Sequence, residues 1–465
     1  TSNHTADRRV SRGTQVIFMK GLRTLISSIY LHPRFYYAGM AVVFTFAASF
    51  FLPLLFDVAR LVCLALLTLT AIDLILLYRL HQGLTGKRDI PEKLSNGDEN
   101  EIVIQLKNSY NFNVRADITD EIPEEFQIRD FGVSRTLKPG ETTMVSYFLR
   151  PAFRGAIRWG TLHVLASSPL CLVQRKYAFG LEAVSAVYPS FVQLRKYELM
   201  AFSHKLFKHG IKKIRRIGHT MEFEKIKDYV PGDDFRTVNW KATAKTGKLM
   251  VNQYQDERSQ PVYCIVDRGR VMKMPFNGLS LLDYAINASL VICDMVLRKQ
   301  DYAGFFSFSR KVENRVFADR RGTQMQKIIE ALYNVKTDFF ESHYGRLYAD
   351  IRQNIPQRSL LLLFTNFETM DGLNRQLPYL KAISRSHLLI VVFFVNTELD
   401  QLINSTAQDV RDVYDKVVAE KFAFEKKLIV SELKKYGIQS ILTRPENLTI
   451  DTINKYLEVK SRGMI

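Results

Sequence analysis

Two apolar runs near the start of the chain limit what it can fold into. Phe35 to Phe56 carries no charged residue, and Leu61 to Tyr78 is apolar except for Asp73. A helix that crosses a bilayer needs about 20 apolar residues, so both runs are long enough or nearly so. The connector Asp57-Val58-Ala59-Arg60 permits only a tight hairpin. A cleaved secretory signal would have a single, shorter apolar region. Arg8, Arg9, Arg12, Lys20, Arg23 and Arg34 precede the first run, Arg79, Lys87 and Arg88 follow the second, and the connector offers only Arg60. Cations gather on the cytoplasmic side, so both ends of the hairpin are expected there, in a two-pass inner-membrane topology. Asp73 is costly in lipid. It marks either a functional group or a contact with a partner helix or the headgroups.

The rest of the 465-residue chain is too long for one core and calls for two or three folded units. It is 47% hydrophobic and 24% charged, which excludes a disordered chain. The net charge of +18 fits a surface beside anionic lipid more simply than one that binds nucleic acid. Cys63, Cys171, Cys264 and Cys293 form no C-x-x-C pair, so neither a disulfide framework nor a zinc site is expected, in keeping with a reducing compartment.

The expected organisation is a basic segment at 1–34, the transmembrane α-hairpin at 35–80, an all-β sandwich at 90–190, a basic connector at 191–258, and a doubly wound α/β domain at 259–465. Period-two alternation at Glu101–Leu106 and Thr143–Phe148, bounded by Ser95-Asn96-Gly97-Asp98 and Lys138-Pro139-Gly140-Glu141, points to the sandwich. Beyond residue 259, apolar strands at Pro261–Asp267, Asp301–Phe308, Ser359–Thr365 and His387–Val395 alternate with helical spacing. That is the pattern of a parallel sheet covered on both faces. A long helix over Ala407–Tyr436 carries an apolar stripe of Val410, Val413, Val417, Phe424 and Leu428, and Gly437 ends it. Neither G-x-G-x-x-G nor G-x-x-x-x-G-K-[ST] occurs, so nucleotide binding has no support.

The most unusual chemistry lies in the connector. Asp233 and Asp234 follow Pro231-Gly232, with Arg236, Trp240 and Lys241 beyond. Paired carboxylates suit acid–base or metal work. Adjacent residues in extended chain point to opposite sides, however, so a structural role is simpler: a turn, an Asp capping nearby amides, an ion pair, and Trp240 packed as an anchor. Upstream, Lys205, Lys208, Lys212, Lys213, Arg215 and Arg216 are interspersed with His204, His209 and His219. Phe202, Phe207 and Phe223 are not regularly interleaved, so a solvated or lipid-facing surface outranks an acidic protein partner and, last, nucleic acid.

The run from Gly218 through Lys245, continued by Gly247-Lys248-Leu249-Met250-Val251-Asn252-Gln253-Tyr254, resembles the signature of the bacterial domain of unknown function 58 family. The layout of hairpin, β domain, signature and α/β domain is similar too. The resemblance implies a von Willebrand factor A-like final domain and partnership with MoxR-type AAA+ ATPases or other such domains. It establishes no reaction and no cofactor. In von Willebrand factor A domains an Asp-x-Ser-x-Ser loop, a Thr and a later Asp hold Mg²⁺ through hard oxygen ligands. Here the loop reads Asp267-Arg268-Gly269-Arg270-Val271, and Asn366 stands at the end of the later strand. The expectation is a loop without its metal, with Arg268 or Arg270 paired to Asp267 in place of the cation. Asp267, Gly269, Arg270 and Asn366 then form a docking edge. Beside the apolar hairpin, the resemblance implies a non-enzymatic membrane scaffold. A membrane-tethered metal-dependent hydrolase and a membrane-linked nucleic-acid binder are the rivals.

Overall fold

The structure, a computed structural model, describes residues 27–190, 222–231, 233, 235–255, 259–407 and 409–464. It divides into two compact units between Val187 and Tyr188.

The first unit starts with a short strand, β1 (Ile29–Leu31), then two helices, α1 (Pro33–Ala48) and α2 (Leu54–Tyr78). Of these, α2 is long and apolar enough to cross a membrane. The turn between the helices falls at 49–53, not at Asp57–Arg60. Asp57 and Arg60 lie inside α2, because Pro53 lacks an amide hydrogen and fits a helix start, where that hydrogen has no partner. Ten further strands follow: β2 (Leu84–Asp89), β3 (Lys93–Ser95), β4 (Asn100–Asn108), β5 (Val114–Asp120), β6 (Gly132–Leu137), β7 (Thr142–Leu149), β8 (Gly155–Trp159), β9 (Leu162–Ser167), β10 (Val173–Phe179) and β11 (Ala183–Tyr188). They form sheets in the orders β1-β10-β9-β5-β6, β2-β4-β7 and β3-β11-β8. Alternation puts Ile102, Ile104 and Leu106 of β4 in the core with Val114, Ala116 and Ile118 of β5. The sheet region begins earlier than residue 90, since both β1 and β2 belong to it.

Two polar groups in this unit correct the reading of its charges. Arg88 is not a flanking cation at a membrane surface. Its side chain is fully buried and pairs with Asp120, and it donates to the carbonyls of Gly160 at 2.8 Å and Leu181 at 2.6 Å. Asp73 does not share the exposure of its neighbours Ile72 and Ile75. It is fully buried, and its Oδ2 accepts from the amides of Leu172 and Val173, each at 2.9 Å. The last turns of α2 pack against the strands, where Leu74, Leu77 and Tyr78 join the core.

The second unit opens with a hairpin of β12 (Glu222–Asp228) and β13 (Met250–Gln255), with a short helix, α3 (Trp240–Thr246), in its loop. Then come β14 (Pro261–Asp267), a small hairpin of β15 (Pro275–Phe276) and β16 (Leu279–Ser280), α4 (Leu281–Arg298), β17 (Tyr302–Phe308), β18 (Val312–Asp319), α5 (Gln324–Tyr333) and α6 (Tyr344–Asn354). The chain continues through β19 (Leu360–Phe364), α7 (Met370–Ser386), β20 (Leu388–Phe394), α8 (Thr397–Asn404), α9 (Val410–Lys435), β21 (Gln439–Thr443) and α10 (Leu448–Ser461). The sheet runs β18-β17-β14-β19-β20-β21, parallel except for β18 at one edge.

Every residue of β14 and β19 is buried, because helices cover both faces. One face packs α4, α5 and α10, and the other packs α6, α7 and α9. Full burial of each such leucine or phenylalanine stabilises the fold by about 1.5–3 kcal/mol. Gly437 takes a left-handed φ of 71° after α9, a conformation that a residue with a Cβ resists. The apolar stripe on α9 is not its buried face. Ala419, Ile429 and Leu433 are buried, whereas Val410, Val413, Val417, Phe424 and Leu428 are exposed. Periodicity shows that residues share a side of a helix, not that the side is covered.

Candidate functional site

The C-terminal ends of the parallel strands gather the second unit's most connected polar groups, where open α/β sheets place their ligand crevice. Strand β14 ends at Asp267, which is 1% exposed. Its Oδ1 accepts from the Gly269 amide at 2.8 Å and from the Ser342 hydroxyl. Its Oδ2 accepts from Thr365 Oγ1 at 2.7 Å and, more weakly, from the Tyr344 hydroxyl at 3.4 Å. Thr365 and Tyr344 are themselves 2.7 Å apart, closing the knot. Burial pushes the Asp267 carboxyl above the usual carboxylate range, and the four donors pull the other way. Burial likewise raises the Tyr344 hydroxyl, with the Asp267 charge adding to it.

Gly269 is required by close approach. A Cβ there would stand 2.2 Å from Ser342 Oγ and 3.1 Å from the Phe340 carbonyl oxygen.

The arginines do not replace a cation in the way the sequence suggests. Arg268 turns to Glu313 at 2.8 Å, and Arg270 reaches Glu341 at 3.8 Å. Hydroxyls meet the buried carboxylate instead. A Mg²⁺ site does not fit this donor set, which offers one carboxylate and three hydroxyls already bonded among themselves. Among the described residues no three His, Cys, Asp or Glu side chains cluster. Ser342 and Tyr344 escaped the sequence reading because they lie on a loop and a helix start far along the chain from Asp267, where no spacing rule points.

Thr365 and Asn366 follow β19 in succession and face opposite sides. Asn366 is buried, and its Oδ1 accepts from Lys426 Nζ of α9 at 2.6 Å. These two residues and Glu368 give polar points to a cavity of about 280 Å³ otherwise lined mainly by apolar groups, Phe276, Phe394 and Phe422 among them. Burial lowers the Lys426 ammonium to about 8, with Glu368 acting in the opposite direction. An unfolded lysine titrates near 10.4. Between about pH 8 and 10.4 the unfolded chain thus binds more protons, and stability rises with pH through that window. Lys426→Met should remove this rise. Urea midpoints at pH 7.5 and 9.5 decide it, and the same pH response in both proteins would disprove it.

Where it is described, the signature loop is held by local bonds. Asp233 accepts from Lys227 Nζ at 2.8 Å and from the Val230 amide at 3.0 Å, so Lys227 chiefly holds its carboxyl below the usual range. Asn239 caps α3 by accepting from the Ala242 amide at 3.0 Å and also donates to Asn252 at 2.8 Å. Arg236 and Lys241 are exposed. Trp240 is 65% exposed and meets Phe235 edge-on, so it is not a buried anchor. Gly232, Asp234, the three histidines and the basic run Lys205, Lys208, Lys212, Lys213, Arg215 and Arg216 lie outside the described residues.

One comparison falls on this stretch and the sheet edge it leads into. Residues 225–419 match the family described as protein of unknown function DUF58. The DUF58 match takes in most of the β12–β13 hairpin, the Asp267 knot, the first ten residues of α9 and most of the cavity lining, but not Phe422, Lys426 or Pro445. A relative, the uncharacterized protein YeaD of Bacillus subtilis (strain 168), is 24% identical over 180 residues, 39% of this chain and 42% of that protein. The alignment thus spans less than half of YeaD's length. Among solved structures, the PapD-like domain 7 of human CEP192 aligns with 22% of this chain and 84% of its own, at 13% identity and a TM-score of 0.16. The CARDB domain of the PF1109 protein from Pyrococcus furiosus aligns with 22% of this chain and 86% of its own, at 13% identity and a TM-score of 0.17.

Proposed function

We propose that this chain is a membrane-anchored, non-enzymatic scaffold whose von Willebrand factor A-like unit docks protein partners at the C-terminal edge of its parallel sheet. One observation carries the reading: the edge combines a closed polar knot around Asp267 with a preformed, mostly apolar cavity beside Asn366 and Lys426. A rigid frame beside an apolar recess suits binding. The knot is buried: Asp267 is 1% exposed and its four donors all come from the chain itself, as suits a frame. The resemblance to the DUF58 family supports a MoxR-type AAA+ ATPase, or another von Willebrand factor A-domain protein, as the partner.

The hairpin of α1 and α2 is the anchor, with both ends on the cytoplasmic side of the inner membrane. Tyr36, Tyr37, Met40, Val43 and Phe44 on α1 and Leu61, Leu64 and Leu67 on α2 are exposed, as lipid-facing residues would be. From Leu54 to Ile72 the second helix extends about 28 Å before Asp73 enters the sandwich, close to the thickness of a bilayer core. The basic run at 205–216 adds contact with anionic lipid.

Gly269→Ala tests the docking edge, because the added methyl group must displace Ser342 from Asp267 while leaving the strands intact. After extraction in mild detergent, tagged wild-type chain should retain an ATPase that the variant loses at least tenfold. Equal recovery with a correctly folded variant would refute the docking edge. Tight Mg²⁺ or Mn²⁺ binding by calorimetry would favour the hydrolase instead.

A further inference from the structure

The cavity at the sheet edge holds an amine that, among the described residues, is bonded to no carboxylate. Lys426 of α9 lines the cavity together with Asn366, Phe276, Leu281, Phe394 and Phe422. Its Nζ donates to the neutral amide oxygen of Asn366 at 2.6 Å and lies 6.0 Å from the centre of the Phe393 ring. Glu368 acts on it through charge alone. A charged ammonium in apolar surroundings needs a counter-charge, whereas a free amine is satisfied by a neutral acceptor. Lys426 is only partly buried, so the site is not sealed.

We infer that Lys426 takes an apolar aldehyde into this cavity and holds it as an imine. The electron pair of the free amine attacks the carbonyl carbon, and a C=N bond forms. The carbonyl oxygen leaves as water with both amine hydrogens, and nothing is oxidised or reduced. Apolar walls seat the hydrocarbon body of the aldehyde and favour a condensation that expels water. Ligand pockets run from about 300 to 1,000 Å³, so a cavity of about 280 Å³ suits a single ring or a short chain. The charge state agrees with this chemistry, because a desolvated lysine is an activated nucleophile. At pH 7.5 an amine that titrates near 8 is about one-quarter free, whereas an ordinary lysine near 10.4 is about 0.1% free. The bond holds a ligand and implies no turnover. It goes beyond the docking reading and does not rest on it, since it forms on the purified chain whether or not a protein docks at that edge.

The test uses the full-length chain in mild detergent at pH 7.5, with benzaldehyde as the probe and sodium cyanoborohydride to reduce the imine to a stable amine. Peptide mass spectrometry compares Lys426 with Lys421 and Lys427, which are exposed on the same helix. Lys426 should be labelled at least tenfold faster than either. That preference should be at least fivefold smaller for glycolaldehyde, which has no apolar body to seat. Asn366→Asp keeps the shape of the side chain but sets a carboxylate against the amine and holds it charged. Labelling of Lys426 by benzaldehyde should then fall to the level of the exposed lysines, in a variant whose thermal midpoint shows it folded. The inference is overturned if Lys426 of the unaltered chain is labelled no faster than Lys421 and Lys427. It is equally overturned if glycolaldehyde shows the same preference, or if folded Asn366→Asp is labelled as fast as the parent. Should that variant fail to fold, the two comparisons on the unaltered chain still decide.

Discussion

Asp120→Asn should cost the first unit about 3–5 kcal/mol, the penalty for leaving a buried cation without its counter-charge. Asp120 and Arg88 have fully buried side chains, and no water can replace the lost partner. The Tyr147 hydroxyl, which donates to Asp120 Oδ2 at 2.5 Å, would lose a charged acceptor as well. The Arg88 guanidinium lies 5.2 Å from the centre of the Trp159 ring, so the indole reports directly on the pair. Trp240→Phe leaves Trp159 as the single tryptophan of the chain. In that background, denaturant unfolding followed by Trp159 fluorescence should show the midpoint fall sharply for Asp120→Asn. The apolar pair Arg88→Met with Asp120→Leu should cost less than the single change, since it buries no charge. If the single change leaves the midpoint within 1 kcal/mol of the parent, the pair is not the sandwich's polar centre.

The second large effect is expected at Asp73. One strand end holds both open ends of the helical hairpin. The Leu172 carbonyl accepts from the His32 amide at 3.0 Å, just before α1, and the Leu172 and Val173 amides donate to Asp73 near the end of α2. Around the same helix end, Tyr110 donates to the Leu77 carbonyl at 2.6 Å, and Arg175 donates to the carbonyls of Leu77 and Leu80, each at 2.7 Å. These bonds satisfy carbonyls that a helix terminus leaves unpaired. Asp73→Leu would orphan the buried Val173 amide and the partly buried Leu172 amide, at about 1–3 kcal/mol each at most. Hydrogen exchange at Leu172 and Val173 should speed up about 30- to 1000-fold in micelles. Asp73→Asn, which keeps one acceptor oxygen, should do much less. Unchanged exchange in Asp73→Leu would mean that the carboxylate does not fasten the hairpin to the sandwich.

Both effects turn on residues whose roles the sequence hides, and the reason is physical. Asp73 within an apolar run announces a cost, but not the strand end that relieves it about 100 residues later. Arg88 reads as a cation flanking the apolar run, and no local pattern marks Asp120, 32 residues on, as its partner. What was legible is what short-range pattern encodes. The run Leu360–Phe364 can only be a strand buried on both faces, and Gly437 marks the end of α9. Asp267 could be picked out through the von Willebrand factor A pattern that the resemblance implies. Its partners Ser342 and Tyr344 could not, because the fold alone brings them there. The stripe on α9 shows the limit most clearly. Its spacing is helical as expected, yet it faces outward, and only the structure separates it from the inward face of Ala419, Ile429 and Leu433.

Flotation tests the central claim most directly, since the scaffold reading depends on a chain held in a bilayer. Full-length protein reconstituted into vesicles should float with them in a density gradient after washing at pH 11 and in high salt. A variant with Leu61, Leu64 and Leu67 replaced by glutamine should sediment free. Recovery of the unaltered chain in the soluble fraction after that wash would contradict the account.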